Sequence, residues 1–277
     1  SFMFQNRDSG RIAGEVGRDR WEVMRPNIIG VFPAAARQVL RGDVSESQID
    51  AMCNAHVPSL AEEKLDFEDR TEQQYDVKSF GTDKVPPAAL AVARCGVCFT
   101  DDYQDTPQFD VQKYSDGDTL HSSTGQLDWT AGRSKLDGFI TIDTPGTKGV
   151  VGFAKDKKCE LSGATITPAS DYAAIYLTAK EKDADIATSN KLLVVAIARA
   201  RNTGMKVFNG DTIVERGKGP VVMEPVVADI AIDRPGKPVV HLLDHSGRLT
   251  DKTIAVENGV IHIDGARDKT CYYLIEF

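Results

Sequence analysis

From about residue 118 onward, hydrophobic residues come in short β-rich bursts that recur every eight to twelve residues, each closed by turn residues. The bursts are Phe139–Asp143, Val150–Phe153, Tyr172–Thr178, Leu192–Ala198, Val226–Ile232, Val239–Leu243, Thr253–Val256, Val260–Ile263 and Cys271–Phe277. Between them lie Pro145-Gly146, Asn202-Thr203-Gly204, Asn209-Gly210, Gly219-Pro220, Pro235-Gly236 and Glu257-Asn258-Gly259. Strands at that spacing predict an antiparallel sandwich or barrel rather than β/α units. Leu192–Ala198 does not alternate, so a central strand covered on both faces is expected there. Near-alternation in Phe139–Asp143 predicts one wet face.

The first part of the chain reads differently. Phe2–Phe4 has the pattern of a strand that stops at the polar cluster Gln5, Asn6, Arg7 and Asp8. Residues 8–20, rich in Gly, Arg and Asp, read as a loop. Pro33-Ala34-Ala35-Ala36 leading to Arg41-Gly42 carries the start and stop signals of a helix: Pro in the first turn, Gly just past the end. Strand, loop and helix make one β/α unit, too small to stand alone, so the opening reads as an interior boundary of something larger. Residues 45–117 are mixed. The acid-rich stretch Asp66–Asp76 reads as solvated surface, and Pro86-Pro87 before Ala88–Val92 as a short helix or turn ahead of a strand over Val92–Phe99.

Composition narrows the function classes. The net charge is −8 and the pI near 5.2, with no basic stripe, which argues against a nucleic-acid partner. No apolar run approaches the roughly 20 residues of a spanning helix. Five cysteines lack a framework pattern, and Cys95-x-x-Cys98 lies in a strand-like stretch, so structural thiols are expected rather than a redox or zinc site. The five histidines fall in no nucleophile motif, and no glycine-rich phosphate cradle is present. Neither a cofactor nor a metal is therefore expected. Asp101, Asp102 and Asp105 around Tyr103 read as a solvated turn, with calcium as the alternative. Glu215, Glu224, Asp229 and Glu276, in or beside strands, read as exposed-face acids. Trp129 reads as packing a sandwich edge, with a sugar-stacking platform as the functional alternative.

Three stretches carry a resemblance: Ser123–Trp129, Ile142–Phe153 (IDTPGTKGVVGF), and Ala198-Arg199 with Asn202–Met205. They resemble the C-terminal β-sandwich region of large bacterial proteins with a cellulase-superfamily (β/α)8 barrel. Gly30–Arg37 and Arg41–Val44 resemble the last barrel helix and its exit. The resemblance implies a mainly β fold: an antiparallel β-sandwich preceded by a short α/β segment like the end of a barrel. It divides the chain into a terminal β/α unit (1–44), a connecting region (45–117) and a sandwich (118–277). It implies a secreted or periplasmic protein associated with polysaccharide or oligosaccharide and joined to an N-terminal barrel portion. Retaining two-carboxylate hydrolysis would then reside upstream, leaving this chain inactive alone. Gln5, Asn6, Arg7, Asp8 and Trp21 become cleft-rim candidates, because barrel sites form at the C-terminal ends of strands. The competing readings are a free-standing carbohydrate-binding module with Trp129, Tyr103 or Tyr114 as platform, and a structural or oligomerisation domain.

Overall fold

The computed structural model describes residues 26–56, 73–74, 77–78, 84–134, 137–208 and 212–277. The expected strand Phe2–Phe4, the candidates Gln5, Asn6, Arg7, Asp8 and Trp21, most of the acidic stretch 66–76 and the turn Asn209-Gly210 lie outside the described residues. The chain is mainly β, its larger sheets are antiparallel, and it divides into two compact units. Among the described residues, no helix is long and apolar enough to cross a membrane.

Residues 45–131 form one unit. Its strands are β1 (Asp50–His56), β2 (Gln73–Gln74), β3 (Val77–Lys78), β4 (Arg94–Thr100), β5 (Ser115–Asp116), β6 (Thr119–His121) and β7 (Leu127–Ser134, to Ala131 in this unit). β1 and β4 pair in parallel, Asp50 opposite Arg94 and His56 opposite Thr100. β1 escapes a hydrophobicity reading because its inward face is built of small residues, Ala51, Cys53 and Ala55. These pack with Val85, Ala89 and Val111 into a small core. Pro87–Ala91 forms the anticipated short helical turn, of 3-10 type, before β4.

The second unit joins residues up to 44 with 132–277. It contains α1 (Pro26–Ile29), α2 (Phe32–Arg41), β8 (Asp137–Asp143), β9 (Thr147–Gly152), β10 (Cys159–Leu161), β11 (Ala164–Pro168), β12 (Ala173–Ala179) and β13 (Lys191–Ile197). There follow β14 (Ala200–Thr203), β15 (Lys206–Phe208), β16 (Thr212–Glu215), β17 (Lys218–Met223), β18 (Val227–Ile232), β19 (Val239–Leu243), β20 (Leu249–Ile254), β21 (Val256–Glu257), β22 (Val260–Asp264), α3 (Gly265–Asp268) and β23 (Tyr272–Glu276). One antiparallel sheet runs β20-β19-β23-β13-β12-β9-β8 within this unit, and another β10-β11-β18-β22-β21. The ribbons β14–β17 and β15–β16 stand beside them.

Alternation explains the core. Ile175 and Leu177 of β12, Val194 of β13 and Tyr273 and Ile275 of β23 meet Ile166 of β11, Ile230 of β18 and Ile261 and Ile263 of β22 in one buried cluster. The opposite face of the longer sheet is covered too, by α2. Ala34, fully buried, packs with Val195, Ile197, Tyr272 and Leu274. That second cover is why Leu192–Ile197 lacks alternation.

α2 carries Pro33 in its first turn and ends at Gly42, whose φ of 68° suits a residue without a Cβ. Its last turn is clamped to the end of β12. Arg37 Nε donates to the Ala179 carbonyl at 2.7 Å, and Arg41 Nη1 donates to Ala179 at 2.9 Å and to Glu181 at 3.1 Å. Asn258 and Gly259, with φ of 51° and 80°, make the tight turn between β21 and β22 that an Asn-Gly pair signals.

At Gly152, unlike Gly42 and Gly259, a side chain has no room. Its φ is 130°, and a Cβ would fall 2.5 Å from the Gly138 carbonyl oxygen and 2.7 Å from the Phe139 Cα. Gly152→Ala is expected to destabilise the protein by about 1–3 kcal/mol, because the β8–β9 ladder must open or the backbone strain persist. An unchanged thermal midpoint would contradict this.

Candidate functional site

The aromatic cavity is built on the α2-facing side of the longer sheet, from residues that alternate with the core. Val151 of β9, Ala174 of β12 and Ile197 of β13 lie directly opposite one another across three strands. Ala174 is small and sits between Tyr172 and Tyr176 on the same face of the strand, so the sheet is hollow between two rings. Val151, Ala174 and Ile197 form the floor of a cavity of about 390 Å3, with Phe153, Tyr172, Tyr176 and Arg199 around it and Asn27 and Val31 on its helical side.

Its walls are tied to one another. The Phe153 and Tyr172 rings meet edge-on, centroids 5.2 Å apart at 65°. The Arg199 guanidinium carbon lies 6.0 Å from the Phe153 centroid and 5.9 Å from that of Tyr172, within cation–π range. Arg199 Nε donates to Glu224 Oε2 at 2.7 Å, and Arg201 Nε pairs with Glu224 Oε1 at 2.6 Å. Glu224 is thus held between two guanidinium groups at the cavity edge. Burial pushes the Tyr176 phenol up to about 12, and burial also raises Tyr172 against the opposing charge of Arg199. Both phenols therefore stay neutral near pH 7. Apolar ring faces beside a few fixed polar groups are the ordinary make-up of a small-ligand site.

A second cavity, of about 310 Å3, combines an apolar surface with several charged side chains. Asp143, Lys148, Ser162, Asp185 and Arg234 line it. The Lys148 side chain is only 3% exposed, and its Nζ lies 2.5 Å from Asp143 Oδ1. The other oxygen of Asp143 accepts from Ser162 N at 2.8 Å and Ser162 Oγ at 2.9 Å. Burial pushes the Asp143 carboxyl up, but the bonds from Lys148 and Ser162 outweigh it and hold it below the usual carboxylate range. The Asp-Thr-Pro-Gly-Thr-Lys phrase read from the sequence turns here: Thr144 Oγ1 donates to the Thr147 carbonyl at 3.0 Å, and Thr147 Oγ1 donates to Asp43 at 2.9 Å.

The structure brings together only part of what the sequence singled out. Trp129 lies in β7 opposite Leu120, 38% exposed, and lines neither cavity. Tyr103 is 70% exposed, and Tyr114 stacks on Phe109 at 6.0 Å with planes 2° apart. The Asp101–Asp105 turn is braced from β1, where Asn54 Nδ2 donates to the Asp105 carbonyl at 2.9 Å and His56 Nε2 lies 3.0 Å from the Asp101 carbonyl oxygen. Among the described residues, no group of three or more His, Cys, Asp or Glu side chains is placed to hold a metal ion. Cys95 and Cys98 are three apart in β4, so their side chains leave opposite faces and do not form a two-thiol centre. All five cysteines are free thiols, and burial pushes Cys271 up to about 11. The strand acids are more than solvated. Glu215 pairs with Lys206, Glu276 with Lys191, and Asp229 with His262 across adjacent strands.

Phe153 and Arg199 belong to the phrases that carry the sequence resemblance, whereas Tyr172, Tyr176 and Glu224 were not expected at a ligand site. The available signal was two tyrosines four apart in a strand with alanine midway, a pattern that puts both rings on one face. No family model matches this chain, and neither a curated protein nor a solved structure matches it.

Proposed function

We propose that this chain is the carbohydrate-associated, C-terminal portion of a glycoside hydrolase-like protein acting on polysaccharide, and that it binds glycan without hydrolysing it. The observation that carries the reading is the cavity walled by Phe153, Tyr172 and Tyr176 with Arg199 at its edge. Aromatic faces cover the apolar C–H faces of a sugar ring, while guanidinium and phenol groups serve its hydroxyls. Two antiparallel sheets sharing one core favour a β-sandwich as its scaffold. The carboxylates that would carry hydrolysis lie outside this chain in this reading, which agrees with Glu224 being committed to Arg199 and Arg201.

Binding to a panel of soluble polysaccharides, by affinity electrophoresis and calorimetry, tests the proposal. The wild-type chain is expected to bind at least one polysaccharide. Tyr172→Ala and Phe153→Ala, each checked for a native melting transition, are expected to weaken it about tenfold or more, the loss of roughly 1.4 kcal/mol or more. Trp129→Ala should bind as wild type. Absence of glycan binding, or loss on Trp129→Ala alone, refutes the aromatic cavity as the site.

A further inference from the structure

The charges around the aromatic cavity specify more than a sugar. Arg199 and Arg201 share the single carboxylate of Glu224, so two positive groups and one negative leave one positive charge in surplus. Asp171, next to Tyr172, does not cancel it, because Asp171 Oδ1 is bonded to Lys155 Nζ at 2.7 Å. Arg199 is held by Nε through Glu224 and flanked by the Phe153 and Tyr172 rings, which fixes the guanidinium plane. Its two terminal nitrogens have no acceptor among the described residues. A guanidinium fixed by one edge with the rest of its donors unfilled suits a planar anion of two oxygens. The chain as a whole carries −8, so this local surplus runs against the general charge and selects among ligands rather than attracting anions everywhere. The second cavity offers no such surplus, since Lys148 and Arg234 there are outnumbered by Asp143, Asp185 and Asp233.

We infer that the ligand of the aromatic cavity is a carboxylated sugar, a uronic acid or an oligosaccharide containing one, with its ring against the aromatic wall and its carboxylate on Arg199. The inference rests on the glycan-binding reading above and adds the chemical class.

The test compares acidic glycans with their own neutral counterparts. Oligogalacturonate, oligoalginate and hyaluronan fragments are titrated into the full chain by calorimetry, each beside the same oligosaccharide after chemical reduction of its carboxyl groups. At least one uronate should bind tenfold or more tightly than its reduced form, and added salt should narrow the gap. Arg199→Gln should abolish the preference. Arg199→Lys, which keeps the charge and the pairing with Glu224 but not the fork, should retain only part of it. Melting curves of both variants confirm that the fold persists. Equal binding of acidic and reduced forms, or binding of neutral glycans only, overturns the inference and leaves the glycan-binding reading standing. No binding to any glycan overturns both.

Discussion

Asp143→Asn is expected to lower the unfolding free energy by about 3–5 kcal/mol, because it leaves the almost fully buried Lys148 ammonium without its counter-charge. Lys148 is 3% exposed and Asp143 29%, so the two members of the pair are not equivalent. Removing the lysine, as in Lys148→Met, leaves a carboxylate that still accepts two bonds from Ser162 and touches solvent. The cost of Lys148→Met should therefore be clearly smaller. The double variant Asp143→Asn/Lys148→Met should recover most of the loss, since no buried charge is then left unpaired. Urea unfolding of the four proteins measures the cycle. Equal costs for the single variants, or a double variant that loses their sum, would show that Lys148 does not depend on Asp143.

Asp268→Ala is expected to be costly by a different route: the buried Tyr273 hydroxyl and the Asp264 N–H lose their acceptor, at about 1–3 kcal/mol for each donor left unsatisfied. The Asp268 side chain, 3% exposed, accepts from Arg267 Nε at 2.6 Å and Nη2 at 3.1 Å, from Asp264 N at 3.0 Å and from the Tyr273 hydroxyl at 3.0 Å. It thereby fastens α3 to β23 at the edge of the main core. Burial pushes the carboxyl up, yet the donors around it prevail, and it sits below the usual carboxylate range. Burial, with the Asp268 charge beside it, pushes the Tyr273 phenol up, so that phenol remains a donor. A carboxyl depressed in the folded state contributes its full stability above its unfolded value, about 3.9, and loses it as pH falls through the folded value. Asp143 has the same sign. Stability should thus be level near neutrality and decline from about pH 4 downward. Asp268→Asn should be less stable than wild type at pH 7 and show a shallower acid decline. Urea midpoints at pH 7 and pH 3 decide it, and an unaltered acid slope in Asp268→Asn would remove Asp268 from the account.

Much of the secondary structure was legible in the sequence because neighbouring residues carry it. The Pro-started, Gly-stopped helix appears as α2, the burst Leu192–Ala198 as the doubly covered β13, and Asn258-Gly259 as a tight turn. His262 faces away from Ile261 and Ile263, as period-two alternation requires. The misses also have local causes. β1 hides its inward face in Ala51, Cys53 and Ala55, and β11 has only Ile166 as a large aliphatic between threonines.

What the sequence determined by itself is therefore the β-rich character, the helix with its two ends and several turns. All of these follow from dihedral preferences and side-chain period within a few residues. The tertiary structure decided which bursts became neighbours. β12 pairs with β9 although β10 and β11 lie between them in the chain, because those two join the other sheet. That crossover sets Phe153 beside Tyr172, and β13 next to β12 then brings Arg199 to both rings. Nothing in a run of adjacent residues encodes such a meeting, since it arises from which sheet faces must be hidden from water together.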